Sequence, residues 1–418
     1  MQPAPCCSQP RSLVEPELAV ALPATGALFT AVLRPRPRAA LIAGGVLGAA
    51  GLAAIVLSAP GVSTDQLGLG LSISPMSRAV LLAAAASLAL VVTFPPQRAD
   101  RALLLTWGLA GIAGMAAIAA APSLDLVILV TLAIALLQAA LGAERSLAAR
   151  LRAPALAVAL LGVGLVFARI DGAPIVAKFA AVGLVAGLAA AVGTLPYIHE
   201  FDPDEVTASS PIAWIAFVGP ILGLEIVVRA RDLIPTAATA FGAMLVGLGL
   251  LNILWGSLAS WFSEKGASGW HYSFMADWGL VMCAFGVQVA DGQAAAVLVM
   301  YGILLSRLPL YLWSRQSLRE KVQTDRPINL LAAAMLAGSA PFAGFAARVL
   351  LLRGATQLYW PLALVIAVGL LLWLPPSLRL GRSLGLPRGR QALGVGIAIA
   401  ANVAIGIYPQ PFLSLAGL

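Results

Sequence analysis

The feature that most constrains this chain is a series of apolar segments, each of about 20 residues, that recurs from one end to the other. A helix of that length is long enough to cross the hydrocarbon core of a bilayer. The polar connections are short, and hydrophobic residues make up 60% of the sequence against 11% that are charged. The sequence therefore predicts an all-α polytopic membrane protein with one integral domain over 1–418, and it excludes an ordinary soluble domain.

Fourteen transmembrane spans are predicted, at 17–33, 39–59, 78–96, 102–121, 124–143, 152–170, 174–198, 211–230, 235–262, 271–290, 293–313, 328–352, 358–377 and 390–408. Arginine and lysine are concentrated in the odd-numbered connections, as in "RPRPR" after the first span. Because basic connections favour the cytoplasmic side, we expect the odd-numbered connections in the cytoplasm and both termini on the outer side of the membrane. This bias accounts for the net charge of +8 and does not imply a nucleic-acid partner.

The spans are expected to form an N-terminal part, two repeats and a final helix. Residues 1–101 hold three spans and the connection "GVSTDQLGLGLSIS", whose alternation predicts a short β-hairpin on the outer surface. The predicted repeats are 102–230 and 235–377, followed by the C-terminal helix in 378–418. The opening "MQPAPCCSQPRSLVEPELAV" lacks a basic start, so we do not expect a signal peptide.

No redox or metal motif is recognisable in the sequence. Cys6, Cys7 and Cys283 form neither a CxxC nor a metal-ligand spacing. His199 and His271 lie near predicted helix ends, which argues against a membrane b-type haem. Neither GxGxxG nor a phosphate loop occurs. We therefore expect no catalytic, cofactor-binding or metal-binding residues in this chain.

Two of the predicted spans are interrupted in the same way. The seventh, "KFAAVGLVAGLAAAVGTLPYIHEF", contains Gly193 and Pro196, and the twelfth, "AMLAGSAPFAGFAARVLLL", contains Pro341 and Gly344. A proline-broken helix survives in a bilayer only where protein or water satisfies the freed backbone groups. Since five is odd, two spans five helices apart imply inverted units, at spans 4–8 and 9–13. Paired broken spans point to a transport site; the alternative is a pair of kinks that only ease packing.

Ionisable side chains inside spans are candidates for an ion pathway. Arg348 lies one turn past Gly344, at the end of the second interruption, and Arg307 lies in mid-span beside Pro309. An arginine stays protonated at any working pH, so it can hold water or a carboxylate but cannot pass a proton along. The alternative for Arg348 is a side chain that extends to the outer surface.

Four further residues are candidates for the same pathway. Glu225 lies toward the middle of its span and is a possible partner for a buried base. Asp277, in "HYSFMADWG", can reach the interior path, and His271 begins the same stretch. Lys178 begins the seventh span, where the alternative is again a side chain that extends to the membrane surface.

At these residues the chain resembles the antiporter-like membrane subunits of respiratory complex I and its relatives, and within them the N-type subunit of bacterial NADH–quinone oxidoreductase. "GSAPFAGFAARVLLL" is similar to the family segment GlPPxxGFxxKxxxx, and "LPYIHEFDPDEVTASSP" is similar to PxHxWLPDAxxxAP. "WGSLASWFSEKGASGWHYSFMADWG" resembles GxxxAxxxxDxKRxxAYSSxxxxG, and "ILLSRLPLYL" resembles HAxxKAxLFL.

The departures from the family pattern affect the proton route. The resemblance implies a glutamate on span 5, lysines on spans 7 and 8, and a lysine on span 12. Arg348 and Arg307 stand where the family has lysine, while Ala191 and Gly223 fall at the positions of the lysines on spans 7 and 8. The interior of span 5 has Gln138 as its only strongly polar side chain. A buried lysine can exchange its proton but these replacements cannot, so the resemblance implies a degenerate relay.

Three functions remain open from the sequence. The first is a membrane-arm subunit of a complex I-type NADH–quinone oxidoreductase or related complex, which takes part in proton translocation or supports it structurally. For this function the resemblance implies other membrane-arm subunits and a hydrophilic redox arm as partners, with quinone and the redox centres on those partners. The second is a self-contained ion or solute transporter, and the third is a membrane scaffold of a non-redox complex.

Overall fold

The computed structural model describes residues 15–58, 70–96, 99–141, 147–170, 174–197 and 216–418, with the backbone alone for 138–141 and 147–153. Every regular element in these ranges is a helix, so the predicted all-α class is confirmed. The hairpin predicted on the second connection falls mostly on 59–69, outside the described residues, and 70–74 contain no strand.

The first half of the chain contains eight described helices. They are α1 Pro16–Val32, α2 Pro37–Leu57, α3 Pro75–Thr93, α4 Arg101–Ala120, α5 Leu124–Leu141, α6 Leu147–Arg169, α7 Pro174–Val192 and α8 Gly219–Leu233. Several of them begin with proline, which suits the first helical turn because the N–H it lacks has no acceptor there. The start of α4 is capped instead by Asp100, whose Oδ1 accepts the N–H groups of Ala102 at 3.0 Å and Leu103 at 3.2 Å.

The second half begins with a short 3₁₀ turn, Pro235–Ala237, that leads into α9. Its helices are α9 Ala238–Phe262, α10 Gly266–Gly286, α11 Ala290–Gly302, α12 Leu308–Arg319, α13 Pro327–Leu336, α14 Ala343–Leu358, α15 Trp360–Leu372, α16 Leu374–Arg382, α17 Arg390–Ile407 and α18 Gln410–Leu415. A π-helical turn, Ile303–Arg307, joins α11 to α12 without a gap.

Eight helical segments in the described ranges are long and apolar enough to cross a membrane. Four shorter apolar helices accompany them, among them α1 and α13. The chain is therefore a multi-pass membrane protein, while the count of fourteen spans stays a prediction. Two predicted spans are shorter than expected because α7 ends at Val192 and because a break separates α13 from α14.

Helices α9 and α10 are held together by glycines spaced seven residues apart. A Cβ added at Gly249 would lie 2.6 Å from the carbonyl oxygen of Gly279, and one added at Gly256 would lie 2.7 Å from that of Tyr272. Residues seven apart share one helix face, so this glycine stripe lets the two backbones touch. The α9–α10 pair therefore packs as one unit.

Candidate functional site

The first interrupted helix ends in a tight backbone turn. Gly193 has a φ of 66°, and the N–H of Thr194 reaches back to the carbonyl of Ala189 at 2.9 Å. Only glycine adopts such a φ freely, which is why the helix stops there. The freed N–H of Leu195 is satisfied from another helix, because it donates to Oδ1 of Asn252 on α9 at 2.9 Å.

The second interruption repeats this geometry. Gly338 has a φ of 61°, and the N–H of Ser339 reaches back to the carbonyl of Ala334 at 3.1 Å. The freed N–H of Ala343 donates to Oδ1 of Asn402 on α17 at 3.1 Å. Each half thus has a positive-φ glycine, a proline three residues later, and an asparagine from a distant helix that accepts a freed N–H. This local likeness fits the predicted inverted repeat with broken seventh and twelfth spans.

The carbonyl groups at the end of α13 are bound by cationic and indole donors. Leu336 O accepts from Nε1 of Trp373 at 2.9 Å and from Nη2 of Arg307 at 3.4 Å. Ala337 O accepts from Nη1 of Arg348. Carbonyls at a helix C-terminus carry partial negative charge and have no partner within their own helix. The two arginines therefore lie beside the broken backbone because they satisfy the carbonyls that the break frees.

Arg307 and Asp277 form a buried, two-pronged ion pair. Nη2 of Arg307 donates to Oδ1 of Asp277 at 2.9 Å, and Nε contacts Oδ2. The two side chains are 7% and 8% exposed. The guanidinium carbon of Arg307 also lies 5.0 Å from the ring centre of Trp373, within cation–π range. This arrangement fixes both charges and buries the guanidinium of Arg307 inside the protein.

A small cavity lies between the ion pair and the break. It has about 40 Å³ of room for water-sized molecules, which is enough for more than one. Its polar lining consists of Asp277, Ser306, Arg307, Arg348 and Asn402. Three of the predicted pathway residues, Arg348, Arg307 and Asp277, therefore meet at one site. Arg348 is half-buried, and its guanidinium folds back over Gly338 instead of extending to the outer surface.

Glu225 belongs to a separate cluster in the first half. Its Oε1 accepts from the hydroxyl of Ser77, and its Oε2 lies 3.3 Å from Nε of Arg229, one turn later on α8. Arg229 in turn donates to the carbonyls of Ala121 at 2.6 Å and Pro122 at 3.1 Å. The buried Glu225 thus pairs with a base on its own helix and fastens α8 to α3 and to the end of α4.

The two remaining candidates lie away from the cavity. Lys178 is exposed near the start of α7, as expected for a side chain that extends to the surface. His271 is 3% exposed on α10, and its ring packs edge-on against Tyr272 with centroids 5.8 Å apart. His199 lies outside the described residues. Within those residues, no group of three or more His, Cys, Asp or Glu is placed to hold a metal ion.

The space beside Gly223 is filled by an aromatic ring. A Cβ added at Gly223 would lie 2.7 Å from Cζ3 and Cη2 of Trp278, which is 1% exposed. Ala191, at the other position where the resemblance implies a lysine, is buried in α7. Sequence reasoning missed Trp278 and also the two asparagines, Asn252 and Asn402. The two asparagines could have been identified from the sequence, because an amide inside an apolar span costs free energy unless it is hydrogen-bonded.

The sequence is related to a known membrane subunit over part of its length. It is 23% identical over 281 residues to NADH-quinone oxidoreductase subunit M of Mycobacterium tuberculosis, in each of two strains. The match covers 60% of this chain and 51% of the relative, so the chain spans about half the length of the curated relatives it matches. No family model matches the sequence. The predicted likeness to the N-type subunit stays a prediction, because these relatives are M-type.

The fold is shared with solved membrane complexes along almost the whole chain. A subunit of the Mrp complex from Dietzia sp. DQ12-45-1b aligns with a TM-score of 0.76 and 15% identity, over 96% of this chain and 51% of that chain. A subunit of the archaeal membrane-bound sulfane sulfur reductase gives 0.73 and 16%, over 94% and 76%.

Respiratory complex I from Thermus thermophilus, in a structure with bound NADH, has a chain that aligns over 96% of this chain and 97% of its own length. The TM-score is 0.72 and the identity is 16%. By a partial sequence match to subunit M and a fold shared along nearly its whole length, the chain is similar to membrane subunits of complex I and of the Mrp and sulfane sulfur reductase complexes.

Proposed function

We propose that the chain is a membrane-arm subunit of a complex I-type energy-converting assembly, in which it supports proton translocation but lacks a complete proton relay of its own. Its partners are other membrane-arm subunits and a hydrophilic redox arm, and quinone and the redox centres are bound by those partners. It lies in a bacterial cytoplasmic membrane with both termini outside. The multi-subunit nature of the structural neighbours and the subunit M relatives support this assignment.

The observation that carries the incomplete relay is the contact between Gly223 and Trp278. A proton route through the interior needs exchangeable groups or water at successive positions. At Gly223, where the resemblance implies a lysine, the buried indole of Trp278 occupies the space that such a side chain needs. A ring from the second half therefore occupies the position in the first half where a relay needs a titratable group.

The two arginines beside the second break are also unsuited to proton exchange. Arg307 is bound on two sides by Asp277, and Arg348 is bound to the carbonyl of Ala337. An arginine does not release its proton in the working range of pH. Arg307 and Arg348 instead stabilise the broken helix. This structural role suits a supporting subunit.

Co-purification in mild detergent tests the assembly. We expect other membrane subunits to co-purify with the tagged full chain. Hydrophilic subunits that carry redox centres should co-purify as well. Recovery of the chain alone would favour a self-contained transporter, and recovery with partners that lack redox centres would favour a scaffold of another system. Either of these results would contradict the proposal.

Proton pumping by the intact complex tests the incomplete relay. In vesicles that contain the complex, we expect Arg348→Gln and Glu225→Gln to leave the number of protons moved per electron pair unchanged. Arg353→Gln is the matched control, because Arg353 is an exposed arginine on the same helix as Arg348. A large loss of stoichiometry in either test variant, with the control intact, would show that the subunit carries its own proton path.

A further inference from the structure

The cavity beside the second break contains one positive charge that its described lining does not balance. Its charged residues are Asp277, Arg307 and Arg348, which give two positive charges against one negative. Arg348 is close enough to both other groups to interact with them electrostatically. Arg348 is half-buried, and a charge within a membrane protein is costly without a partner, so such groups are normally paired. The site therefore favours a ligand that brings a single negative charge.

Hydrogen-bond donors in the cavity also outnumber their acceptors. Both oxygens of Asp277 are engaged by Nη2 and Nε of Arg307. The third nitrogen, Nη1 of Arg307, is buried and has no hydrogen-bond partner among the described residues, and Arg307 as a whole is only 5% exposed. A buried donor without an acceptor costs free energy, so this nitrogen is available to a ligand.

Ser306 adds a second donor. Its hydroxyl oxygen accepts from Nδ2 of Asn402. A hydroxyl that accepts one hydrogen bond keeps its own hydrogen for another acceptor. Ser306 and Asn402 both line the cavity, so this donor lies beside Arg307 and Arg348.

We propose that this cavity binds one small monovalent anion of the halide type, such as chloride, between Nη1 of Arg307, the guanidinium of Arg348 and the hydroxyl of Ser306. The room of about 40 Å³ suits an ion of near-water size. Water alone would satisfy the donors but would leave the charge of Arg348 unbalanced. The inference concerns this cavity only and does not rest on the proposed function.

The first experiment uses chloride and bromide as probes. The full chain, with whatever subunits co-purify in mild detergent, is exchanged into sodium gluconate and titrated with sodium chloride or bromide at constant ionic strength. Because a ligand that binds only the folded state stabilises it, we expect a saturable rise in the unfolding temperature with either halide. We also expect the protein to broaden the ³⁵Cl resonance. Added bromide should reverse this broadening because it displaces the bound chloride. No saturable rise, or broadening that bromide leaves unchanged, would overturn the proposal.

Variants locate the effect in the cavity. Arg348→Gln should abolish the halide-dependent shift and Ser306→Ala should reduce it, whereas the exposed control Arg353→Gln should keep it in full. If Arg348→Gln does not fold, the comparison of Ser306→Ala with Arg353→Gln decides. A full halide response in Ser306→Ala and in any folded Arg348→Gln would contradict the site. A carboxylate supplied by a neighbouring subunit would make the intact complex insensitive to halide, which also overturns the proposal.

Discussion

The indole ring of Trp278 on α10 lies directly against the bare Cα of Gly223 on α8. A Cβ placed at Gly223 would come within 2.7 Å of two ring carbons, closer than such atoms approach in real structures. The two residues are therefore matched in size, with the smallest side chain opposite the largest. This contact between the two halves fills the space at Gly223, where the resemblance implies a titratable group.

Gly223→Ala should destabilise the protein. The added methyl group overfills a closed contact with Trp278, at a cost of about 1–3 kcal/mol in the free energy of unfolding. Thermal unfolding in detergent measures the effect. Gly247→Ala is the control, because a Cβ at Gly247 on α9 meets nothing within 4 Å and alanine favours the helix. Equal stability of the two variants would contradict the packing described for Trp278.

Asn402→Leu and Asn252→Leu should each destabilise the protein by about 1–3 kcal/mol, since each leaves a freed backbone N–H of a broken helix without its acceptor. The exposed Gln357→Leu, the same kind of substitution, should have little effect. Denaturation with increasing SDS in mixed micelles compares the three. Equal unfolding midpoints for the three variants would show that water replaces the asparagine oxygen as acceptor without loss of stability.

The pair Arg307 and Asp277 should show strong coupling. Arg307→Met leaves a buried carboxylate without its partner, so we expect a loss of about 3–5 kcal/mol. The double variant Arg307→Met with Asp277→Leu removes both charges and should be more stable than Arg307→Met alone. A double-mutant cycle on unfolding free energies measures this coupling. Additive losses would show that the two side chains do not depend on each other.

Gly338→Ala should weaken the second break. Alanine at a φ of 61° costs about 1–2 kcal/mol, and its Cβ would also lie 2.6 Å from Cζ of Arg348. Gly396→Ala on α17 is the control, since a Cβ there meets nothing within 4 Å. Unfolding temperature and protease sensitivity between α13 and α14 should both change in Gly338→Ala alone. A Gly338→Ala variant as stable as Gly396→Ala would contradict the role described for Gly338.

The breaks were predictable from sequence because their cause is local. Gly193 and Pro196 end α7, and a second glycine–proline pair separates α13 from α14, as the sequence indicated. The pairing of Glu225 with Arg229 was also within reach, because residues four apart on a helix are neighbours.

Long-range packing was beyond sequence reasoning. Arg307 and Arg348 were expected to face an internal path, but their contact with the carbonyls of Leu336 and Ala337 depends on how α11–α14 come together. The position of Trp278 depends in the same way on the packing of α8 against α10. No periodicity in a single helix reports such contacts, because the partner lies on a different helix.

The backbone contact between α9 and α10 has a mechanical consequence. Through Asn252, α9 holds the end of α7, and through Asp277, α10 holds Arg307 beside the gap between α13 and α14. Because the two backbones touch along glycines, we expect α9 and α10 to move together. A tilt of either helix then moves both Asn252 and Asp277. The two interruptions, although they lie in different halves of the chain, are therefore mechanically linked through α9 and α10.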